Sequence, residues 1–332
     1  MVHVFRKGND VIEVENLVKF YGDNKVLHGL SFQVAVGRVC GFLGPNGSGK
    51  STTMDILAGL LGPSDGTARV CGFDVVKQPQ EVKANVGYLP DNPPLHREML
   101  VEDYVDYVGR LRGLKGAARK AAVERVLDDC DVMDVRHRVI GNLSKGYRQR
   151  VALCSALVHQ PKVLILDEPT EGLDPNQIVH IRNLIKKLAL ERTVILSSHI
   201  LSEVQATCED VIIINQGAIA AKTTLADEGS SQRSFVFRLV DKVREAKDWL
   251  GKQPFVGQVD LAKGDDQSLV LHFSETSWSQ GRESAVAEAN EKLVREGYRV
   301  SEIREHRTGL ESLFFDVIKS QTSGQAAASV PH

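Results

Sequence analysis

Between an apolar run, RVCGFL (38–43), and a helix-patterned segment, Lys50–Leu60, the chain reads Gly44-Pro45-Asn46-Gly47-Ser48-Gly49-Lys50-Ser51, with Thr52 behind it. This is the pattern GxxxxGK[ST] in the strand–loop–helix setting that it needs. Glycines let backbone N–H groups turn inward around phosphate oxygens, because no Cβ stands in the way. The helix that begins there points its positive end at the same charge. Lys50 supplies a point charge to β- and γ-phosphates, and Ser51 carries a hydroxyl suited to Mg²⁺. A chain of 332 residues meets the pattern by chance roughly once in 100.

A phosphate loop requires a parallel sheet beneath it, and the sequence supplies one. VIEVENL (11–17), TARVCG (67–72) and VGYL (86–89) read as strands. VLILD (163–167), TVILSS (193–198) and VIIIN (211–215) are near-continuous apolar runs, as expected of strands buried on both faces. Helical patterns separate the last three, over 175–190 and 200–208, and residues 101–130 read as mostly helical. The fold expected is therefore α/β with a mainly parallel sheet. Two acids, Asp167 and Glu168, end the run VLILDEP. They are costly at the end of a buried strand unless a cation or ligand offsets them. Asp167 is expected to hold the Mg²⁺ shell and Glu168 to orient and polarise an attacking water. His199 follows TVILSS, and parallel strands bring their C-terminal ends to one edge, so it is expected beside Lys50 and Glu168, in reach of a γ-phosphate.

Length allows two domains. DEGSSQRS (227–234) breaks the βα alternation and reads as a linker between an ATPase domain over 11–226 and an accessory domain over 235–319. Beyond the linker the order is strand 235–239, helix 243–250, strands 256–261 and 269–273, helix 282–296 and strand 299–305, a βαββαβ order that predicts a small α+β ferredoxin-like module. A short helix is expected around 310–318 and a disordered tail over 320–332. Lys and Arg number 41 against 43 Asp and Glu, so no basic field recruits nucleic acid. No run approaches the roughly 18 apolar residues of a membrane span, and MVHVFRKGND lacks a signal-peptide core. A cytoplasmic chain is expected, with any spanning done by another protein. Five scattered cysteines without a CxxC pair point to reduced core thiols.

Leu143-Ser144-Lys145-Gly146-Tyr147-Arg148-Gln149-Arg150 is similar to the ABC signature segment, whose commonest form is LSGGQ followed by basic residues. With the phosphate loop, the strand-end acids and His199, the chain over about 11–225 resembles an ABC-transporter ATPase subunit. The resemblance implies a P-loop NTPase core with N-terminal antiparallel strands and a helical subdomain over about 92–158, of which 92–140 would touch the membrane partner. It implies that ATP is gripped by Gly44–Ser51 of one copy and Ser144, Lys145 and Gly146 of a second copy or related subunit. Tyr21 would stack on adenine. Gly172-Leu173-Asp174 would contact the partner's site. Asp91 stands where most relatives carry Gln, and Tyr147 where the signature has its own Gln. Both departures resemble gliding-motility-type and multidrug-export-type (ABC-2) exporters, and Leu310-Glu311-Ser312-Leu313-Phe314 resembles an ending found in them. Asp91 is expected to reach Mg²⁺ through a bridging water. The function implied is the ATP-hydrolysing motor of an exporter, peripheral on the cytoplasmic face of the membrane beside an ABC-2-type permease. A soluble ATPase of the same family acting on a non-membrane macromolecule is the alternative. One phosphate loop, no long heptad run and the missing basic balance weigh against it.

Overall fold

The computed structural model describes residues 10–225, 234–262, 265–278, 281–305, 310 and 314. The chain divides into two compact units, Met1–Leu225 and Ala226–His332. The first runs β1 (Asp10–Tyr21), β2 (Asn24–Ala35), β3 (Val39–Leu43), α1 (Lys50–Leu57), β4 (Asp65–Val70), β5 (Phe73–Asp74), α2 (Pro79–Asn85) and β6 (Val86–Leu89). It continues through α3 (Val101–Leu111), α4 (Gly116–Asp129), α5 (Lys145–Leu157), β7 (Val163–Leu166), α6 (Pro175–Ala189), β8 (Thr193–Ser198), α7 (Leu201–Thr207), β9 (Asp210–Asn215) and β10 (Ala218–Thr224).

Two sheets result. One has the order β10-β9-β3-β8-β7-β6, parallel from β9 to β6, with β10 antiparallel at its edge. Its inner strands β3, β7 and β8 are buried at every residue, which is why they read as unbroken apolar runs. The other sheet, β2-β1-β4-β5, is antiparallel. Helix α1 sends Met54, Ile56 and Leu57 into the core that the two sheets share, where Phe32 of β2 meets Phe42 of β3 with ring centroids 5.4 Å apart. The span 101–130, expected to be mostly helical, is two helices. Gly113, at φ 81°, turns the chain between α3 and α4.

The second unit runs β11 (Ser234–Leu239), α8 (Val243–Leu250), β12 (Val256–Ala262), β13 (Asp265–Phe273), α9 (Glu275–Trp278), α10 (Arg282–Arg295) and β14 (Val300–Glu305). The antiparallel sheet order β12-β13-β11-β14 is that of the split-βαβ module, with α9 as an extra turn. Alternate residues Phe235, Phe237 and Leu239 of β11 and Leu269, Leu271 and Phe273 of β13 join Ala246, Leu250, Ala289 and Leu293 in its core. The linker is expected at 227–234, but Ser234 already opens β11; its other residues, the helix around 310–318 and the tail at 320–332 lie outside the described residues, apart from Leu310 and Phe314, which are helical and buried.

His159 ties the end of α5 to the parallel sheet. Its Nε2 lies 3.0 Å from the Val86 carbonyl, which can only accept, so Nε2 carries the proton. Nδ1 is buried without a partner. Burial first, and then the nearby Arg112 charge, push its pKa down from 6.5 to about 4. The unfolded chain therefore takes up a proton between those two values that the folded chain refuses. Stability is full above pH 6.5 and falls as pH drops toward 4, by on the order of 3 kcal/mol. His159→Gln keeps a donor for Val86 and removes the titration. Urea unfolding at pH 7 and pH 4.5 should show a smaller acid loss in this variant than in the wild type. Equal losses would place the acid sensitivity elsewhere.

Candidate functional site

The parallel register sets the site. Leu43 pairs with Ser198, Leu196 with Leu166, and Leu166 with Leu89, so the segments that follow β3, β8, β7 and β6 leave the sheet at one edge. Behind β3 the loop Gly44–Gly49 turns tightly, with φ of 78° at Gly47 and 103° at Gly49. A Cβ on Gly44 would stand 2.3 Å from the Ile214 carbonyl oxygen, and one on Gly49 would stand 2.6 Å from Leu27 Cδ2. Gly44 needs glycine for space, and Gly49 needs it for space and conformation alike. The loop is pinned from behind. Gly44 N–H donates to the Ser198 carbonyl at 3.2 Å, and Gly217 N–H donates to the Ser48 carbonyl at 3.0 Å.

Lys50 opens α1 and curls back into this loop. Its Nζ donates to the carbonyls of Gly44 at 2.9 Å and Pro45 at 3.2 Å, and lies 3.2 Å from Glu168 Oε1. Glu168 adopts φ 46°, a left-handed conformation that a side chain seldom takes, and it turns the carboxylate back toward the loop. Its Oε1 faces Lys50 without an aligned hydrogen bond, and its Oε2 lies 3.0 Å from His199 Nδ1. A carboxylate only accepts, so Nδ1 carries the proton and Nε2 is the free edge of the ring. Lys50, Glu168 and His199 thus form one constellation, as the sequence leads one to expect.

Asp167 is 3% exposed. Burial raises its pKa, hydrogen bonds from Ser197 and Ser51 oppose the rise, and the charges of Asp91 and Asp55 add to it. Ser197 is the site residue that sequence reasoning missed. Its Oγ donates to Asp167 Oδ1 at 2.5 Å and accepts the Glu168 N–H at 2.9 Å, so one hydroxyl orders both acids. The only hint was a polar residue inside the apolar run TVILSS. The oxygen set fits Mg²⁺. Among the described residues no three His, Cys, Asp or Glu side chains converge on one metal position. Mg²⁺ in phosphoryl-transfer sites is bound through one or two carboxylates beside water and phosphate, and Asp167, with the Ser51 hydroxyl against it, would supply such a set. The loop also fits a triphosphate: Ser48 Oγ is buried there without a partner.

Of the other expected residues, Asp91 stands within reach of the Asp167 charge and the rest lie elsewhere on the unit. Asp91 packs on Glu171, and its pKa is raised by burial and then by that neighbour, with Lys145 pulling the other way. Ser144 caps α5 by accepting Tyr147 N–H at 3.3 Å, and Asp174 caps α6 by accepting Gln177 N–H at 3.0 Å. A Cβ on Gly146 would stand 2.7 Å from Gln177 Cδ, so glycine lets α5 close on α6. Ser144, Gly146 and Asp174 line one cleft of about 310 Å³ with Tyr147, Arg150 and His180. Lys145 reaches Gly172. No hydrogen bond of Lys50, Asp167, Glu168 or His199 extends to Ser144, Lys145 or Gly146. Tyr21 ends β1, half exposed, with the Lys19 ammonium 5.4 Å from its ring. It sits on the hairpin whose second strand carries Leu27 behind Gly49.

Comparison with known proteins agrees with this geometry. Residues 27–171 match the family described as ABC transporter. The chain is 31% identical over 329 residues to the uncharacterized ABC transporter ATP-binding protein YhcH of Bacillus subtilis, covering 97% of this chain and 99% of that protein. It is 36% identical over 208 residues to the Nod factor export ATP-binding protein I of Burkholderia orbicola, covering 62% and 68%. The solved structure of CbiO1 from Clostridium perfringens, part of an ABC transporter complex, is similar at 27% identity with a TM-score of 0.61, over 66% of this chain and 90% of that one. Matched almost end to end by such a relative, the chain belongs to the ABC transporter ATP-binding proteins, nucleotide-binding ATPase subunits that dimerise and work with transmembrane permeases.

Proposed function

We propose that this chain is the motor subunit of an exporter, hydrolysing ATP at the edge of the parallel sheet and driving a separate ABC-2-type permease. The observation that carries the reading is Glu168, held between Lys50 at 3.2 Å and His199 at 3.0 Å beside a phosphate loop. A carboxylate so placed orients a water and accepts its proton as the water attacks the γ-phosphorus. Lys50 and the Gly44–Ser51 N–H groups grip the phosphates. His199, as an imidazolium, donates Nε2–H to the γ-phosphate while Nδ1–H stays on Glu168. Ser51 and Asp167 are the residues that would hold Mg²⁺, which supplies positive charge to the β- and γ-phosphate oxygens when bound. Asp91 would act on that shell through water and would pass the nucleotide state to the helical subdomain over 92–158. Tyr21 stacks on the adenine. Ser144, Lys145, Gly146 and Asp174 face the ATP held by a second copy or a related subunit. Residues 11–226 do this work, and 235–319 form an accessory domain.

Export rests on the relative named as a Nod factor export protein. Among the described residues no helix is long and apolar enough to cross a membrane. The proposal therefore assigns the spanning to the permease and places this chain on the cytoplasmic face. Extraction of native membranes should recover it with a polytopic partner. Recovery without one would favour the non-membrane alternative.

Glu168→Gln should bind ATP, accumulate as a closed dimer and lose at least about 100-fold in kcat, the lower range for a missing general base. Turnover near that of the wild type would remove Glu168 from the role. Asp91→Ala should retain nucleotide binding and lose the stimulation of ATPase activity by the permease. Unchanged stimulation and unchanged Mg²⁺ dependence would sink the coupling assignment.

A further inference from the structure

Glu203 lies in the first turn of α7, outside every motif that the sequence analysis singled out. Its Oε2 accepts the hydroxyl of Thr170 in a short hydrogen bond and, at 3.5 Å, that of Ser198. These two partners belong to different parts of the site. Ser198 immediately precedes His199, and its Oγ also accepts the Ile200 N–H at 3.0 Å, so it fixes the turn that carries the histidine. Thr170 lies two residues beyond Glu168 and is 8% exposed. Two successive turns run through it. Glu171 N–H donates to the Glu168 carbonyl at 3.1 Å, and Leu173 N–H donates to the Thr170 carbonyl at 3.2 Å. The backbone therefore passes stiffly from Glu168 to Asp174.

We infer that Glu203 is a positioning residue that locks the His199 turn to the Glu168–Asp174 segment, so that the histidine–glutamate contact and the segment facing the partner subunit move as one body. The inference rests on the proposed roles of Glu168, His199 and Asp174. Its chemistry is specific. One part-buried carboxylate oxygen serves two hydroxyls from two loops, and among the described residues the other side-chain hydrogen bonds between these strand ends are His199 to Glu168 and Ser197 to Asp167 and the Glu168 N–H. Without Glu203 the 3.0 Å contact of His199 with Glu168 loses the support given through Thr170 and Ser198, and a misplacement of about 1 Å at a reacting group is enough to slow turnover by tenfold or more.

The test uses the full chain with Mg²⁺ and ATP, measuring kcat, KM, the Hill coefficient for ATP and thermal midpoint. Glu203→Ala and Thr170→Val should each lower kcat by about tenfold with KM within twofold of wild type, and should lower the Hill coefficient toward 1, because the partner-facing segment no longer follows the histidine. The double variant should be no slower than the worse single one. Glu203→Gln, whose amide oxygen still accepts both hydroxyls, should return kcat to within about twofold of wild type. A residue that merely stabilises α7 would lower the thermal midpoint and leave cooperativity and the Gln rescue unaffected. Additive losses in the double variant, or kcat and Hill coefficient unchanged in Thr170→Val, would overturn the inference. Glu168→Gln in the same assay separates the two levels: if it retains turnover, the underlying assignment of the base fails, whatever Glu203 does.

Discussion

The Lys50 ammonium is 5% exposed, and a charge so far from water needs oxygens placed around it. It has three: the carbonyls of Gly44 and Pro45 and the carboxylate of Glu168. Two come from its own loop and one from a strand end two places away in the sheet, so this single charge joins β3 to β7 across β8. A buried pair of this kind contributes little net stability, because desolvating both ions offsets most of their attraction. Its value is in geometry. Removing either partner would leave the other with less than its full set of partners, Lys50 with two carbonyls and Glu168 with His199, a loss bounded by the about 3–5 kcal/mol of a broken buried pair. The left-handed turn at Glu168 is the local strain accepted for aiming the carboxylate at the lysine.

That arrangement holds only because the strands beneath it are parallel and in register. Leu43 pairs with Ser198 and Leu166 with Leu196, and the buried faces of β3, β7 and β8 leave no freedom for a one-residue slip, which would turn their side chains over between faces with different neighbours. The antiparallel sheet contributes from the other side. Leu27 of β2 closes against Gly49, and His28 N–H donates to the Gly217 carbonyl at 2.8 Å while Gly217 N–H holds Ser48. The phosphate loop is thus clamped between two sheets: a Cβ on Gly44 would strike Ile214 of one, and a Cβ on Gly49 would strike Leu27 of the other.

Much of this was legible in the sequence because it is local or because burial is total. The strands of the parallel sheet announce themselves by apolar continuity, and the phosphate loop by glycines at fixed spacing. What was not legible has a common cause. Strand β2 (NKVLHGLSFQVA) buries Leu27 and Leu30, three residues apart, because register shifts against β1 interrupt the two-residue alternation that marks a strand. Strand β10, AIAAKTT, is an exposed edge with few bulky residues, so nothing in its composition separates it from a loop. Ser197 acquires its role only from the strand beside it: β8 neighbours β7, and that pairing sets the hydroxyl against Asp167 and the Glu168 N–H. Asp91 likewise meets Glu171 only because β6 and β7 lie side by side. A reading along the chain finds motifs; the bonds between motifs depend on which strands are neighbours.

The same distinction bears on why one copy of the chain is an incomplete machine on the proposed reading. Lys50, Asp167, Glu168 and His199 satisfy one another within the chain, at one edge of the sheet. Ser144 and Asp174 satisfy only their own helix ends, each accepting a single backbone N–H, and they open onto a cleft with Arg150 and His180. The first group has the acids and the phosphate loop but no second set of donors above the γ-phosphate. The second has helix N-termini and basic side chains but no phosphate loop. Glycine at 146 brings α5 onto α6 so closely that these donors form one surface, which is the form required if they are to meet an anion held by another molecule. Two copies placed head to tail would complete both sites at once, and neither copy could complete its own.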